Sequence, residues 1–274
     1  FYPFGGFALF AKASIAPIDE SLYIKVKNPI GEDLSVMNRS LAPNMLQCIA
    51  LNLARKNTNL RMFEVGNAYL AKSLPLTELP TEEKRISMAA TDTTFEAFRD
   101  DVLQVVYAFA DSDVKITRAE STLLHPGISA KITVGGKEVG TFGKVHPQVC
   151  ANFDIETDVY YAELSLDALV EVRRGEIRFE PIAKFPSVTR DFALVCDEAV
   201  AVQDILDEFL ALPLCESAAL FDVYRGSQVG EGKKSIAISV VLRDKNKTLA
   251  DNDIEKQVGK ALKIVAEKYG AVLR

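Results

Sequence analysis

The sequence predicts an α+β protein of two domains, residues 1–180 and residues 181–274. The chain has 274 residues, of which 48% are hydrophobic, and this suffices for two buried cores. Segments in which apolar and polar residues alternate are interspersed with segments of helical periodicity, so both strands and helices are expected. A charged stretch, Arg173–Lys184, with Pro181 and Pro186 at its end, is typical of a linker between two folded parts.

The first domain is predicted to be an antiparallel sheet with helices packed against it. A helix is expected from Ser40, because apolar residues recur there at helical spacing and Pro43 fits a first helical turn. Leu60–Leu70 then predicts a buried strand. Further along, Gly135-Gly136 lies between two alternating segments and predicts a hairpin turn. Residues 1–24 show no clear pattern.

The sequence pattern predicts the element order β-α-β-β-α-β for the second domain, which is the ferredoxin-like order. In the strand Lys234–Arg243 the even positions are large and apolar, whereas the odd positions are mostly small or polar. Even positions should therefore face the helices, and odd positions should form an open face. On the neighbouring strand, Phe221 and Val223 are expected to point inward, which leaves Asp222 and Tyr224 on the open face.

The distribution of charge indicates where a polyanion would bind. A net charge of −6 argues against a nucleic-acid surface spread over the whole chain. Within Tyr224–Lys247, however, six basic residues accompany two acidic ones, which is a local charge of +4. An RNA partner is therefore expected to contact this stretch.

Several classes of protein are excluded by what the sequence lacks. No apolar run is long enough for a membrane span, and no basic and apolar leader is present, so a cytoplasmic protein is expected. No P-loop, GxGxxG or Ser-His-Asp arrangement is evident. Because the chain opens on Phe1, we expect a fragment of a longer protein.

The cysteines and histidines are expected to be structural. The four cysteines lie far apart without a C-x-x-C pair, which favours free thiols in a reducing compartment over disulfides or a zinc site. Both histidines precede a proline, at strand boundaries where an imidazole commonly satisfies a turn. We therefore predict no metal site. The residues are Cys48, Cys150, Cys196, Cys215, His125 and His146.

A series of short motifs, spread in order over about residues 25–274, resembles the C-terminal third of the β subunit of bacterial phenylalanyl-tRNA synthetases. The resemblance implies that residues 1–180 are a class II synthetase-like module without catalytic activity, and that residues 181–274 are a ferredoxin-fold anticodon-binding domain. The editing module of the family has no counterpart here. The motifs are Asn28-Pro29, Arg61 with Phe63-Glu64 and Gly66, His125-Pro126-Gly127, His146-Pro147, Phe185-Pro186 with Arg190-Asp191, Phe221–Gly226, and Gly232–Ser235.

The catalytic motifs of active class II relatives are incomplete in this chain. In those relatives an arginine at the end of the motif-2 strand neutralises the α-phosphate of ATP, and another in a Gly-rich motif 3 contacts the γ-phosphate. The corresponding stretch here is Gly66–Leu70, and Leu70 cannot stabilise charge on a phosphoryl group. The nearest Gly-rich stretch, Gly140–His146, has no arginine. We therefore predict no catalytic residues and no enzymatic activity for this chain alone.

The resemblance implies partners that act in a larger assembly. The complete enzyme would be an α2β2 tetramer in which the α subunit uses ATP and Mg²⁺, whereas this piece would bind no cofactor. The first domain would contact the α subunit and the second would bind the anticodon loop of tRNA(Phe), with no DNA or membrane partner. An open sheet face can stack unpaired bases while cations contact phosphates. The predicted RNA-binding residues are Arg190, Asp222, Tyr224, Arg225, Lys233, Lys234, Ser239 and Arg243.

Two alternatives remain open at this point. One is a self-sufficient single-chain synthetase of the organellar type, against which the missing motif arginines count. The other is a ferredoxin-like regulatory domain that binds an amino acid and no RNA, against which the local charge of +4 counts. Salt-dependent binding of an anticodon stem-loop would separate RNA binding from the regulatory alternative.

Overall fold

The computed structural model describes residues 2–110, 114–173, 175, 181–226 and 228–274. The chain divides into two compact units, Phe1–Ile177 and Arg178–Arg274. The domain boundary predicted at residue 180 lies outside the described residues. No helix among the described residues is both long and apolar enough to cross a membrane.

The N-terminal unit begins with a small subdomain that the sequence pattern left unassigned. A two-stranded antiparallel ribbon forms its base, and two short 3₁₀ turns lie between the ribbon strands. Phe10 is buried and its ring stacks on Tyr23 at a centroid distance of 5.3 Å, which attaches the first helix to the following loop. The elements are β1 (Phe4–Gly5), α1 (Phe7–Lys12), β2 (Val36–Met37) and α2 (Ala42–Ala54).

A six-stranded antiparallel sheet forms the body of this unit, as predicted. Its strands and the intervening helices are β3 (Arg61–Leu70), β4 (Thr81–Thr91), α3 (Phe95–Phe109), β5 (Val114–Arg118), β6 (Leu124–Val134), β7 (Lys137–Val145), α4 (Pro147–Asn152), β8 (Val159–Ser165) and α5 (Leu166–Glu171). The strand order is β3-β4-β8-β7-β6-β5. The predicted hairpin turn is present between β6 and β7, where Gly135 and Gly136 both adopt positive φ angles.

Hydrophobic cores lie on both faces of the sheet, because the strand side chains alternate between them. On one face α3 and α5 pack with Phe98, Val102 and Leu169 against Ile132 and Phe142. On the other face α2 and α4 pack against the sheet, and the core residues there are Met45, Leu46, Ile49, Leu124, Val149 and Tyr161.

The prediction that Leu60–Leu70 is a buried strand is wrong. The strand β3 lies at the edge of the sheet and pairs only with β4 among the described strands. Two of its large apolar side chains, Phe63 (77% exposed) and Val65 (53%), extend into solvent. The sequence resembles a buried strand because alternating apolar residues look the same whether or not a further strand covers them.

The C-terminal unit has the predicted β-α-β-β-α-β order, and its strands form one antiparallel sheet. The elements are β9 (Val188–Asp197), α6 (Val202–Leu210), β10 (Cys215–Tyr224), β11 (Lys233–Leu242), α7 (Asp251–Tyr269) and β12 (Val272–Leu273). The strand order is β10-β11-β9-β12, in which the first and third strands of the unit are central. Both helices pack on one face, over a core that includes Leu194, Phe209, Ile236, Ile254 and Val265.

The predicted alternation along β11 is confirmed, but the pairing of β10 with β11 is irregular at two places, of which the one near Phe221 affects a prediction. Ile236 and Ile238 are fully buried beneath the helices, as expected. On β10 the pairing register shifts between Leu220 and Asp222, so one extra residue is inserted there. As a result Phe221 is 60% exposed, and the prediction that it points inward is wrong. Such a bulge cannot be recognised from side-chain alternation alone.

Candidate functional site

The open face of the C-terminal sheet brings together small, polar and aromatic side chains. Residues paired across antiparallel strands project from the same face, so the strand register identifies its members. Because Ile236 and Ile238 point to the helices, the residues between and beside them point away. The rows across β10, β11 and β9 are Tyr224–Ser235–Val195, Asp222–Ala237–Ala193 and Ala219–Ser239–Asp191. Of the predicted residues, Asp222, Tyr224 and Ser239 thus share this surface.

Tyr224 is joined on this surface by Arg274, which sequence reasoning missed. The Arg274 guanidinium lies 5.5 Å from the centroid of the Tyr224 ring, and its Nη2 donates to Gln228 Oε1 at 2.8 Å. Its backbone N–H donates to the Ala193 carbonyl at 2.9 Å, so β9 fixes the position of Arg274. Tyr224 is 39% exposed. A basic residue directly after a terminal strand was the only sequence signal for this cation–π pair.

Two of the predicted cationic residues have partners within the fold, one buried and one at the surface. Lys234 is only 7% exposed, and its ammonium donates to the carbonyls of Glu198 (2.9 Å) and Val200 (2.7 Å). It therefore stabilises the turn that precedes α6. Arg225 donates to both carboxylate oxygens of Glu198, at 2.8 to 3.2 Å. This hydrogen-bonded pairing lowers the pKa of Glu198 and raises that of Arg225.

Arg243 is bound by partners on other segments, and Arg190 lies on the helix side of the sheet. Arg243 donates from Nε to Glu216 at 2.6 Å and from Nη1 to the Phe185 carbonyl at 2.9 Å, which ties β11 to the segment before β9. Arg190 pairs with Val240, a buried position, so it belongs to the helix side of the sheet. Its Nη2 lies 3.4 Å from Asp251 at the start of α7.

The local charge of +4 in the sequence is therefore largely balanced in three dimensions. Glu198, Glu216 and Asp253 all lie outside Tyr224–Lys247 in sequence, yet each forms an ion pair with a cation inside it. Lys233 and Lys245 are exposed. Charge within a sequence window thus overstates the electrostatic potential of this face.

In the N-terminal unit, a cleft of about 330 Å³ contains a polar network among β4, β8 and the residues that precede α2. Among the described residues that line this cleft, the only guanidinium is that of Arg85 on β4, and no residue of β3 lines it. Arg85 donates to Glu163 at 2.5 Å and to Glu83 at 2.8 Å. Burial lowers the pKa of Arg85, but these carboxylates outweigh burial and raise it. The Arg85 guanidinium is therefore already bound by two carboxylates, which would compete with a phosphate for it.

Glu163 is the centre of this network and links β8 to the start of α2. Its Oε2 accepts hydrogen bonds from Ser40 Oγ (2.7 Å), the Leu41 amide (3.2 Å) and the Tyr161 hydroxyl (2.5 Å). Burial, followed by the Glu163 charge, raises the pKa of Tyr161 well above its ordinary value. The Glu163 carboxylate, on β8, accepts a backbone N–H at the N-terminus of α2. It therefore stabilises this helix end as a capping side chain does, although it lies far away in the sequence.

The two histidines accept backbone hydrogen bonds in turns, and the four cysteines are free thiols. His125 Nδ1 accepts from the Gly127 amide at 3.0 Å, and His146 Nδ1 accepts from the Gln148 amide at 3.1 Å. Each imidazole therefore satisfies the turn that follows it. The cysteines are free thiols, and burial raises the pKa of Cys150 to about 11. Within the described residues no group of three or more His, Cys, Asp or Glu side chains could hold a metal ion.

The sequence and the fold are both similar to those of aminoacyl-tRNA synthetases. Residues 2–166 match the family described as phenylalanyl tRNA synthetase beta chain CLM domain, and residues 183–274 match the ferredoxin-fold anticodon binding domain. The crystal structure of pyrrolysyl-tRNA synthetase from Desulfitobacterium hafniense shares the fold, with a TM-score of 0.50 and 14% identity over 63% of this chain and 61% of that one.

Curated relatives are beta subunits of phenylalanine–tRNA ligase. The protein from Clostridium acetobutylicum is 35% identical over 95% of this chain and 34% of its own length. That from Streptococcus mutans is 35% identical over 90% of this chain and 32% of its own length, and that from Fusobacterium nucleatum is 30% identical over 92% and 33%. The chain thus spans about a third of the length of these relatives.

Taken together, the antiparallel sheet and the ferredoxin-like unit with its open polar face define an aminoacyl-tRNA synthetase fold joined to an anticodon-binding domain. Within that class, the chain belongs to the phenylalanyl-tRNA synthetase beta-chain family.

Proposed function

We propose that this chain supplies two functions to a cytoplasmic phenylalanine–tRNA ligase of α2β2 composition. Its first domain contacts the α subunit, and its second domain, from residue 181 onward, binds the anticodon loop of tRNA(Phe). The observation that carries the proposal is the open sheet face, where Tyr224 and Arg274 are stacked beside Asp222 and Ser239. Aromatic rings and guanidinium planes stack unpaired bases, while carboxylates and hydroxyls read base edges.

Titration with an anticodon stem-loop of tRNA(Phe) at two salt concentrations tests the RNA-binding function. Binding should weaken steeply with salt, because phosphate contacts release counterions. Tyr224→Ala should weaken binding by roughly 1–3 kcal/mol through lost stacking, whereas Tyr107→Ala, an exposed tyrosine on α3, should not. A flat or absent signal would favour a regulatory domain that binds no RNA.

The eight residues predicted from the sequence contribute unequally to this proposed interface. Lys233 is exposed near the open face, so Lys233→Ala should reduce the salt dependence by about one phosphate contact. Lys260→Ala, on the exposed side of α7, is the matched control. Arg243→Ala should weaken RNA binding and also loosen the segment around Phe185, since that carbonyl accepts from Arg243.

We propose that adenylation takes place on the α subunit, which uses ATP and Mg²⁺, and that this chain holds no cofactor. Two features support this assignment. By the resemblance, Leu70 stands where active relatives have arginine. In addition, the Arg85 guanidinium already donates hydrogen bonds to the carboxylates of Glu163 and Glu83. The chain alone should show no phenylalanine-dependent ATP–pyrophosphate exchange. Robust exchange by the pure chain would support a self-sufficient synthetase instead.

Contact with the α subunit is supported by an apolar groove of about 1290 Å³ beside α1 and α2. Phe4, Phe7 and Leu51 are among its lining residues, and Leu51 is an exposed side chain on α2. An apolar surface of this size on a helical face is typical of a subunit interface. Co-expression should yield a stable complex with the α subunit, and Leu51→Asp should weaken it.

A further inference from the structure

The outer edge of β3 presents backbone groups that are free to pair with another strand. In an antiparallel pair, each residue directs both its N–H and its C=O to the same side, and the side alternates along the strand. The Thr91 amide donates to the Leu60 carbonyl, so even-numbered residues face β4. Odd-numbered residues face outward, and the Tyr69 amide accordingly donates to Asn38. The outward groups of Phe63, Val65 and Asn67 have no neighbouring strand among the described residues.

The same residues carry the exposed apolar side chains of the strand. Phe63 and Val65 are the most exposed large hydrophobic residues on β3, and Phe63 lines a groove of about 530 Å³ between the sheet and α3. Met88, Phe98 and Val105 form the apolar floor and wall of this groove. Proteins usually protect a sheet edge with charged side chains, proline or a bulge. Arg61–Asn67 has no proline, lysine or bulge, and its charged residues, Arg61 and Glu64, leave the apolar Phe63 and Val65 exposed along the edge.

We propose that the edge of β3 accepts an added β-strand, contributed by an extended apolar segment of the α subunit. This inference rests on the proposed contact with that subunit and identifies a second surface for it, separate from the groove beside α1 and α2. Backbone hydrogen bonds to Phe63 and Val65 supply the affinity, and an apolar side chain of the added strand enters the groove toward α3.

The charges on β3 favour a different chain over a second copy of this one. If two β3 strands paired with Phe63 opposite Val65, the two Glu64 residues would lie directly opposite each other, and like charges there are destabilising. If they paired with Phe63 opposite itself, Arg61 would face the apolar Val65. A partner strand with apolar residues opposite Phe63 and Val65 and an acidic residue opposite Arg61 avoids both conflicts.

Residue-resolved amide hydrogen exchange on the full chain, alone and in complex with the α subunit, tests the proposal directly. In the chain alone the outward amides of Phe63 and Val65 should exchange rapidly, whereas the inward amides of Met62 and Glu64 should already be protected. Complex formation should slow the outward amides at least tenfold, roughly the effect of one new backbone hydrogen bond. The Met62 and Glu64 amides serve as internal controls.

Two substitutions separate the backbone from the side-chain contribution. Val65→Pro removes an outward N–H and leaves the ladder with β4 intact, since edge strands tolerate proline when the N–H faces solvent. Phe63→Asp places a charge in the apolar groove. Both should weaken the complex at least tenfold, whereas Leu79→Asp, in the exposed loop between β3 and β4, should not.

The possible outcomes distinguish an added strand from the α subunit, a second copy of this chain, and no binding of the α subunit. Unprotected Phe63 and Val65 amides in a stable complex would overturn this inference and leave the proposed function standing. Protection that appears without the α subunit and rises with chain concentration would identify a second copy as the occupant and would also overturn it. Failure of the α subunit to bind at all would overturn both proposals.

Discussion

Removal of the Glu163 carboxylate is expected to destabilise the N-terminal unit and to release the start of α2. Glu163 has a side chain that is only 10% exposed, and it accepts hydrogen bonds from four groups. One donor is the Arg85 guanidinium, and two others, Ser40 and the Leu41 amide, belong to the segment that leads into α2. Glu163→Ala leaves all four donors without this acceptor.

The size of the stability loss depends on the partners that Arg85 keeps after Glu163 is removed. Breaking a buried ion pair by removing one member costs about 3–5 kcal/mol, because the other charge is left uncompensated. Arg85 keeps its contact with Glu83 at 2.8 Å, and its own side chain is 21% exposed, so the lower end of this range applies. We therefore expect a loss of about 3 kcal/mol for Glu163→Ala. Glu163→Gln keeps one acceptor oxygen and should cost about 2 kcal/mol.

Amide hydrogen exchange measured by mass spectrometry suits this question, because the two units report separately. Peptides from α2 should lose protection by about 100-fold in Glu163→Ala, the factor that corresponds to roughly 3 kcal/mol. Peptides from α7, in the other unit, serve as the internal reference. Glu156→Ala, at an exposed carboxylate beyond α4, is the matched control and should change stability by less than about 0.5 kcal/mol.

A double-mutant cycle with Arg85→Ala identifies the origin of the loss. If Glu163 acts through Arg85, the two substitutions together should cost clearly less than the sum of the single costs. Strict additivity would refute the coupling of Glu163 to Arg85, and a Glu163→Ala effect no larger than that of Glu156→Ala would refute the assignment of Glu163 as the carboxylate that holds α2 to the sheet.

Three further predictions concern glycines, a thiol and acid stability. A Cβ on Gly143 would lie 2.3 Å from the backbone oxygen of the adjacent strand, so Gly143→Ala should destabilise the N-terminal unit by about 1–3 kcal/mol in urea unfolding. Gly259→Ala on the exposed side of α7, where a Cβ meets no atom, should stabilise the C-terminal unit by about 0.5–1 kcal/mol; the same sign at both sites would contradict the reasoning. Since burial raises the pKa of Cys150 to about 11, its alkylation at pH 8 should be at least about tenfold slower than that of free cysteine, and unfolding should abolish the difference. Burial raises the pKa of Glu83, but the hydrogen bonds from Arg85 and Ser165, together with the Arg85 charge, outweigh burial and hold it below its ordinary value of 4.5. Its stabilising contribution is therefore present above pH 4.5 and is lost as the pH falls through the folded-state value, and Glu83→Gln should remove that part of the acid dependence in unfolding scans.

Local patterns were sufficient to predict most of the secondary structure. Alternation along β11 identified the side chains that face the helices, because a strand has a side-chain period of two and one of its faces is buried. The glycine pair between β6 and β7 predicted the hairpin, because a tight turn requires positive φ angles that glycine adopts without strain. The order of elements then predicted the ferredoxin-like unit. Each of these signals depends on residues close together in the chain.

The features that sequence reasoning missed depend on residues far apart in the chain. Phe221 is exposed because β10 carries an extra residue relative to β11, and such a shift in register exists only between two strands. Arg274 lies over Tyr224 because the last strand returns to the sheet beside β9. Glu163 stabilises a helix more than a hundred residues earlier for a similar reason.

By itself the sequence determined the α+β class, the two faces of β11 and the presence of a leucine at position 70. Only the tertiary structure decided which charges are available. Lys234, Arg225 and Arg243 appear as a basic stretch in the sequence, yet each donates to acceptors supplied by other segments of the fold. The physical reason is that electrostatic interaction depends on distance in space. Folding brings the carboxylates of Glu198 and Glu216 into contact with Arg225 and Arg243, and the backbone carbonyls of Glu198 and Val200 into contact with Lys234.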